Sequence, residues 1–422
     1  MKLGNAGRTV TLGIIGLGGR GVGQMKTLLS MPDVQVNAVC DVYEDRAQNG
    51  AAIVKEQRGN EPFCTTDYRE VLKREDIEAV VIMTSWQTHI PIAIEAMRAG
   101  KIVSMEVGGA TSLNECWEMV RTSEETGKGV MLLENCCYND VEMAILNMIK
   151  QGVFGELVHC RGGYQHDLRD EIGLGDVNRH YRQDNFMYRN GELYPTHELG
   201  PIATYLNLNH GNRMLTLVSM ASKAVGEHEW LKKNRPDTGL AKAKFNEGDI
   251  VTTMISCANG ETIMLTHDCT LPRPYSRGGY VQGVKGVWME DGHGIYLEDD
   301  AHEGGTYAHK FSPDKEMLEK YEHPLWKEYR EFGLRGGHGG MDYLVLRAFV
   351  ESIQKNVKFP IDVYDTAAWM AITCLSEESI QKGSAPVNIP DFTSGRWMQK
   401  QDRPGDMFSL DKVYPEAFED EN

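Results

Sequence analysis

Tyr194 and His197 stand three residues apart in the stretch YPTHELGP (194–201), just ahead of the apolar run Ile202, Ala203, Tyr205 and Leu206. An imidazole with its ordinary pKa near neutrality is the side chain best suited to moving a proton at working pH, and a phenol can donate one. The spacing predicts the first turn of a helix, with both groups on one edge. Side chains of the same kind crowd three stretches: GGYQHDLRDE (162–171), NRHYRQDNFMYRNGELYPTHE (178–198) and RPYSRGGY (273–280). They are rich in Tyr, Arg and His and poor in aliphatics, which is not the composition of a core. A solvated surface would also look like this, and a lone histidine such as His166 or His267 is more often a structural hydrogen-bonder. Beside a cofactor domain, however, such loops stack on and hydrogen-bond polar ligands. No acidic cluster has metal-ligand spacing, so no metal is expected.

The element that would position a cofactor lies at the start of the chain. TVTLGIIGLGGRG (9–21) begins as a β-rich run and ends in Gly16, Gly18 and Gly21, the pattern G-x-G-x-x-G. The first glycine permits a tight turn, the second lets the backbone approach a pyrophosphate, and the third lets the next helix pack closely. A second strand, VQVNAVCD (34–41), ends in Asp41, 20 residues beyond Gly21 and at the position that binds a ribose. Val42, Tyr43 and Glu44 follow, with no arginine among them, so NAD is favoured over NADP. The runs EAVVIMTS (78–85), KIVSME (101–106) and GVMLLEN (129–135) read as further strands separated by helices. Alternating βα units give a doubly wound parallel sheet, with ligands at the carboxyl ends of its strands. That rule points at Ser85–His89, Glu106–Gly108 and Glu134–Asn135.

Beyond residue 138 the strand-like runs become consecutive: TLVSMAS, DIVTTMISC, ETIMLTHDC and GGYVQGVKGVWME. The expected fold is therefore an N-terminal Rossmann domain over residues 1–137 and a C-terminal α+β domain over 138–422, with a mostly antiparallel open sheet and a largely helical stretch from Gly339 to Gln381. With 422 residues, 41% apolar content and a net charge of −17, the chain reads as a soluble acidic protein unsuited to nucleic acid or anionic lipid. The nine cysteines show no C-x-x-C spacing, and no apolar run approaches membrane-spanning length. Together with an N-terminus that lacks a signal-peptide core, this predicts a cytoplasmic protein.

Several segments carry a resemblance. GLGGRG, SMEVGGA, MLLENCCYN, GGYQHDLRDE, LYPTHELGP, PRPYSR, GHGGMDYL, PIDVYDTAAW and VNIPDFTSG, spread from Gly16 to Gly395, make the chain similar to the Gfo/Idh/MocA oxidoreductases and, within them, to glycoside hydrolase family 109. Ordinary oxidoreductases of the superfamily carry Glu-Lys-Pro after the fifth strand. Here the segment is Glu106-Val107-Gly108, without the lysine, as in family 109, whose pattern has proline where this chain has Gly108. Residue 198 is Glu where many of those relatives have Gly.

The resemblance implies an NAD-dependent glycosidase. Hydride would leave a ring carbon, C3, the neighbouring C2 proton would become acidic, the C1 substituent would depart, water would add, and the ketone would be reduced again, with the cofactor recycled and no carboxylate pair needed. It places Tyr194, His197 and Tyr164 in the catalytic site. Glu134, Arg182 and Tyr275, with His166 and Arg169, would bind the sugar. Gly16, Gly18, Gly19, Arg20, Gly21, Asp41, Trp86, His89, Glu106 and Asn135 would hold the cofactor. The substrate would be a glycoside such as an N-acetylhexosaminide. The arginines at 169, 179, 182, 273 and 277 leave an anionic, for example sulfonated, sugar open. Competing readings are an NAD-dependent sugar dehydrogenase that releases a keto sugar, and a non-catalytic NAD-binding protein. A homo-oligomer built on the exposed sheet face is expected.

Overall fold

A computed structural model describes residue 3 and residues 7–298, 309–399, 403–404 and 406–418. Short apolar runs rich in Val, Ile, Ala and Leu near the N-terminus form strands, most of them buried on both faces. These are β1 (Val10–Ile15), β2 (Val34–Cys40), β3 (Phe63–Thr65), β4 (Ala79–Ile82), β5 (Ile102–Met105) and β6 (Val130–Leu132). They pair in parallel in the order β3-β2-β1-β4-β5-β6. Strand order reverses between β1 and β4, so a crevice opens at their carboxyl ends. The three-residue β3 has no apolar pattern of its own and borrows its place from β2.

The second sheet has nine strands: β7 (Leu157–Gln165), β8 (Met214–Ala221), β9 (Ile250–Cys257), β10 (Thr262–Asp268), β11 (Tyr280–Gly283), β12 (Gly286–Met289), β13 (Gly294–Leu297), β14 (Ser312–Pro313) and β15 (Val387–Asn388). Their order is β14-β13-β12-β11-β7-β10-β9-β8-β15, antiparallel throughout except for the β7–β10 pair. Side chains alternate, as a sheet with one covered face requires: along β9, Val251, Thr253 and Ile255 are buried while Met254 is exposed. The helix Thr196–Tyr205 covers β7, and the helix Val363–Gln381 covers β8. On the open face Val218, Met254, Met264, Arg161, Tyr280 and Met289 line up strand by strand.

The chain then returns to the first sheet. The helix Met341–Lys355 packs on the helix Gly19–Leu29 and on β1, and Val363–Gln381 also packs on β6 and the helix Leu113–Thr126. A buried ion pair pins the first contact, with Arg347 Nη1 2.7 Å from Asp33 Oδ1. No helix among the described residues is long and apolar enough to cross a membrane. All nine cysteines are free thiols.

Candidate active site

The glycine turn leaves β1 with Gly16 at φ +98°, and a Cβ there would meet the Met83 carbonyl at 2.5 Å. Only glycine satisfies both limits. A Cβ on Gly21 would lie 2.1 Å from the Gly16 carbonyl oxygen, so the helix Gly19–Leu29 starts flush against the turn. Gly19 has open space beside it. The helix N-terminus faces this side-chain-free cradle with unpaired N–H groups. Asp41 closes it at the end of β2, its Oδ2 accepting from the Leu17 N–H at 2.7 Å and its Oδ1 from the Tyr43 N–H at 2.9 Å. A turn that a Cβ would fill, a helix start and a fixed acid together fit a dinucleotide.

Arg20, the second residue of that helix, reaches across the crevice. Its Nε lies 3.0 Å from Glu106 Oε2, and its Nη1 and Nη2 donate to both oxygens of Asp342 at 2.7 and 3.0 Å. Asn135 Nδ2 donates to the same Asp342 at 2.7 Å. Two residues expected at the cofactor, Arg20 and Asn135, thus converge on one carboxylate that the sequence reading missed. Burial pushes the Asp342 carboxyl up, but the bond from His338 and the charge of Arg20 overcome it and hold it well below the usual carboxylate range. Trp86 is buried at the start of the helix that follows β4, and a Cβ on Gly108 would sit 2.3 Å from its Cδ1. The indole therefore fills the space in front of residue 108, where Gly108 adopts φ +154°, a conformation closed to proline. His89 lies wholly inside, its Nε2 3.0 Å from the Thr84 carbonyl. Burial lowers its pKa to about 4, so the ring is neutral and braces the turn after β4.

The three catalytic candidates meet where this crevice adjoins β7. Ring centroids lie 4.5 Å apart for Tyr164–Tyr194, 4.8 Å for Tyr194–His197 and 5.3 Å for Tyr164–His197. Tyr194 does not sit on the helix, contrary to the expectation from spacing. The helix begins at Thr196, and Pro195 excludes the helical region for the residue before it. The pair still meets, because the chain turns at that proline. His166 and Tyr275 join at the rim: Tyr164 Oη is 3.2 Å from His166 Nδ1, and the His166 and Tyr275 rings are 5.1 Å apart.

At the centre stands Arg182, buried, with its Cζ 5.0, 5.4 and 5.6 Å from the rings of Tyr194, Trp86 and Tyr164. Its Nε forms an ion pair with Glu171 at 2.9 Å. Burial raises the Tyr164 phenol to about 12 and Tyr194 well above its ordinary value, with Arg182 opposing in both. Both phenols are therefore protonated donors at neutral pH.

Glu134, expected to touch sugar, is instead fully buried behind His197. Its Oε1 lies 2.8 Å from His197 Nδ1 and accepts from the Cys136 N–H at 3.1 Å. Burial pushes this carboxyl up, but the neighbouring His197 outweighs burial and brings it below its ordinary value. The carboxylate is ionised and fixes the imidazole so that Nε2 is the nitrogen left for a substrate. Glu134, Cys136 and His197 place ligand atoms within 4.8 Å of one another. Burial holds the Cys136 thiol far above its usual pKa, and His197 Nδ1 is engaged by Glu134.

The five arginines that left an anionic sugar open each have a carboxylate partner. Arg169 pairs with Asp167 at 2.6 Å, Arg179 with Asp45 at 2.8 Å, Arg182 with Glu171 at 2.9 Å, Arg273 with Asp268 at 2.8 Å, and Arg277 Nε with Glu142 at 2.6 Å. A guanidinium matched in this way adds little net positive charge to the site. Arg277 also lies 3.7 Å from Glu198 and donates to the Tyr275 hydroxyl at 3.3 Å.

Known proteins share both halves of this arrangement. The family model described as "Oxidoreductase family, NAD-binding Rossmann fold" matches residues 10–133, and "Glycosyl hydrolase 109, C-terminal domain" matches residues 138–399. A glycosyl hydrolase family 109 protein of Stenotrophomonas maltophilia is 41% identical, covering 97% of this chain and 93% of its own. An alpha-N-acetylgalactosaminidase of Tannerella forsythia is 39% identical, covering 92% and 87%. Among solved structures, a levoglucosan dehydrogenase in complex with NADH and levoglucosan superposes with TM-score 0.68 at 19% identity, covering 91% of this chain and all of that one. That likeness concerns the fold. With the glycine cradle, the His197–Glu134 pair and both family models in agreement, the chain belongs to glycosyl hydrolase family 109 and is an NAD-dependent glycoside hydrolase.

Proposed function

We propose that this enzyme hydrolyses a neutral N-acetylhexosaminide, with His197 as the proton-transfer residue and Tyr164 and Tyr194 as hydrogen-bond donors. The observation that carries the reading is the His197–Glu134 pair at 2.8 Å, set edge-on to two protonated phenols. Gly16, Gly18, Gly19 and Gly21, with Arg20 and Asp41, would hold the dinucleotide, and Trp86, His89, Glu106 and Asn135 would shape the rest of its crevice. When bound, NAD supplies reversible hydride exchange at a ring carbon.

The protein does the remaining work. His197 Nε2 takes a proton from the sugar hydroxyl or from C2, and buried Glu134 stabilises the imidazolium that results. The phenols donate to the oxygen on which negative charge develops, or to the leaving oxygen. Arg182 stays cationic inside its ring of aromatic side chains, and its field favours the same anion. The pairing of Arg169, Arg179, Arg182 and Arg273 with carboxylates favours a neutral sugar over a sulfonated one. Two curated relatives, from Tannerella forsythia and Shewanella oneidensis, are named alpha-N-acetylgalactosaminidase, which makes that sugar the first to try.

The test is cleavage of a nitrophenyl α-N-acetylgalactosaminide without added NAD, run in D₂O. Many turnovers, deuterium at C2 of the product and no accumulating NADH support the proposal. One equivalent of NADH per sugar, with a keto sugar released, would make the enzyme a net dehydrogenase instead. We also propose that the row from Val218 to Met289 on the open sheet face joins two copies, and that the enzyme acts in the cytoplasm. A monomer in sedimentation at micromolar concentration would refute the first.

A further inference from the structure

The residues that follow the ribose-binding Asp41 are bridged to the second domain. Tyr43 is flanked by two guanidiniums, with Arg179 Cζ 4.3 Å and Arg46 Cζ 4.9 Å from its ring centroid. Arg179 forks onto Asp45, Nη1 to Oδ1 at 3.0 Å and Nη2 to Oδ2 at 2.8 Å. Arg46 Nη2 donates to the Asn178 carbonyl at 2.9 Å, while its Nη1 lies 3.7 Å from where a Cβ on Gly18 would be. One arginine thus touches both the glycine turn and the incoming segment. Arg46 stands just beyond Glu44 on the following helix, whereas Arg179 comes from a segment 134 positions from its partner Asp45.

That segment has its own fixed shape. Gly175–Asn178 is a single helical turn, and Arg179 takes the left-handed conformation at φ 53° and ψ 49°, rare for a residue with a side chain. Behind it, Arg235 grips Asp176 at 2.6 Å and the Gly173 carbonyl at 2.6 Å. Ahead of it, His180 stacks on Tyr181, whose ring lies 5.1 Å from Trp86, and Arg182 enters the aromatic ring of the active site. The segment therefore runs from the ribose end of the crevice directly to the catalytic centre.

We propose that residues 175–182 are a strap closed across the adenosine end of the dinucleotide crevice, with Arg179, Asp45, Tyr43 and Arg46 as its clasp, and that it retains the cofactor between turnovers. The inference rests on the redox-neutral reaction above, for which a cofactor that leaves serves no purpose. Exposed ion pairs and cation–π contacts are individually weak, so the clasp is a latch that opens rather than a permanent bond. Its closing contacts are electrostatic and lie at the surface, so salt loosens them.

The test is the release rate of bound NADH, followed by its fluorescence after mixing with excess NAD⁺, with thermal melting as a check on folding. Arg179→Ala and Asp45→Asn are expected to release NADH roughly three- to tenfold faster. The exchanged pair Asp45→Arg with Arg179→Asp is expected to return the rate to within about twofold of the parent, and raising salt to about 1 M to speed release from the parent more than from Arg179→Ala. Unchanged release from Arg179→Ala, or a fast rate that the exchanged pair does not correct, overturns the strap while leaving the glycosidase intact. Parent protein that takes up no NADH overturns both.

Discussion

Replacing Glu134 with Gln separates the two roles that the sequence and the structure give this residue. The carboxylate is fully buried and bonded to His197 Nδ1 at 2.8 Å, so water does not screen the interaction. Gln keeps the shape and removes the charge. A hydrogen bond to a charged group contributes about 1.5–3 kcal/mol and a neutral one about 0.5–1.5. The difference, about 1–2 kcal/mol, falls on the imidazolium formed when His197 takes a proton, which predicts a kcat lower by roughly 5- to 30-fold. KM is expected to stay within about twofold, because Glu134 is fully buried behind His197. Steady-state hydrolysis of an aryl glycoside measures both.

The charge also affects folding. Since the folded carboxyl lies below its ordinary value, its contribution is present above pH ~4.3 and lost as pH falls through the folded pKa. Glu134→Gln should therefore be less stable than the parent at pH 7, with the gap closing below about pH 4. A raised KM with unchanged kcat would instead make Glu134 a sugar ligand.

Tyr164→Phe keeps the stacked rings and removes the donor, and kcat is expected to fall about 100-fold with the melting temperature nearly unchanged. In Gly108→Ala the new Cβ would meet Trp86 at 2.3 Å; we expect a loss of about 1–3 kcal/mol in chemical unfolding and weaker NADH binding by fluorescence titration. Burial raises the Glu142 carboxyl to about 7 despite Arg277 beside it, so its contribution to stability is intact below pH ~4.3 and lost as pH rises through 7. Glu142→Gln should flatten the decline in stability between pH 5 and pH 8, seen in urea unfolding at the two values.

The elements were legible where their signal is local. The glycine spacing 16-18-21 and the apolar runs of β1, β2, β4, β5 and β6 each lie within a few consecutive residues, and steric limits on the turn leave few other solutions. The alternating runs of β8, β9 and β10 were equally plain. The start of the helix at Thr196 was not, although Pro195 carries the signal: proline disfavours a helical residue before it.

What escaped the sequence was partnership at long range. Asp342 lies 322 positions from Arg20 and 207 from Asn135, and Glu134 lies 63 from His197, so no spacing rule connects them. Arg169 is the instructive exception. Its partner Asp167 sits two residues away, and that neighbour alone could have warned that the guanidinium was engaged.

The return of the C-terminal helices to the first sheet has a consequence for synthesis. Strands β1–β6 leave the ribosome early, but the helix that covers β1, seats Arg347 on Asp33 and supplies Asp342 to Arg20 ends only at Lys355. Until then the nascent first sheet exposes apolar surface, and the arginine beside the glycine turn has Glu106 but not Asp342 for a partner. A nucleotide present during translation would meet a half-built seat, and gene fusions that splice out residues 10–133 alone would inherit the same defect.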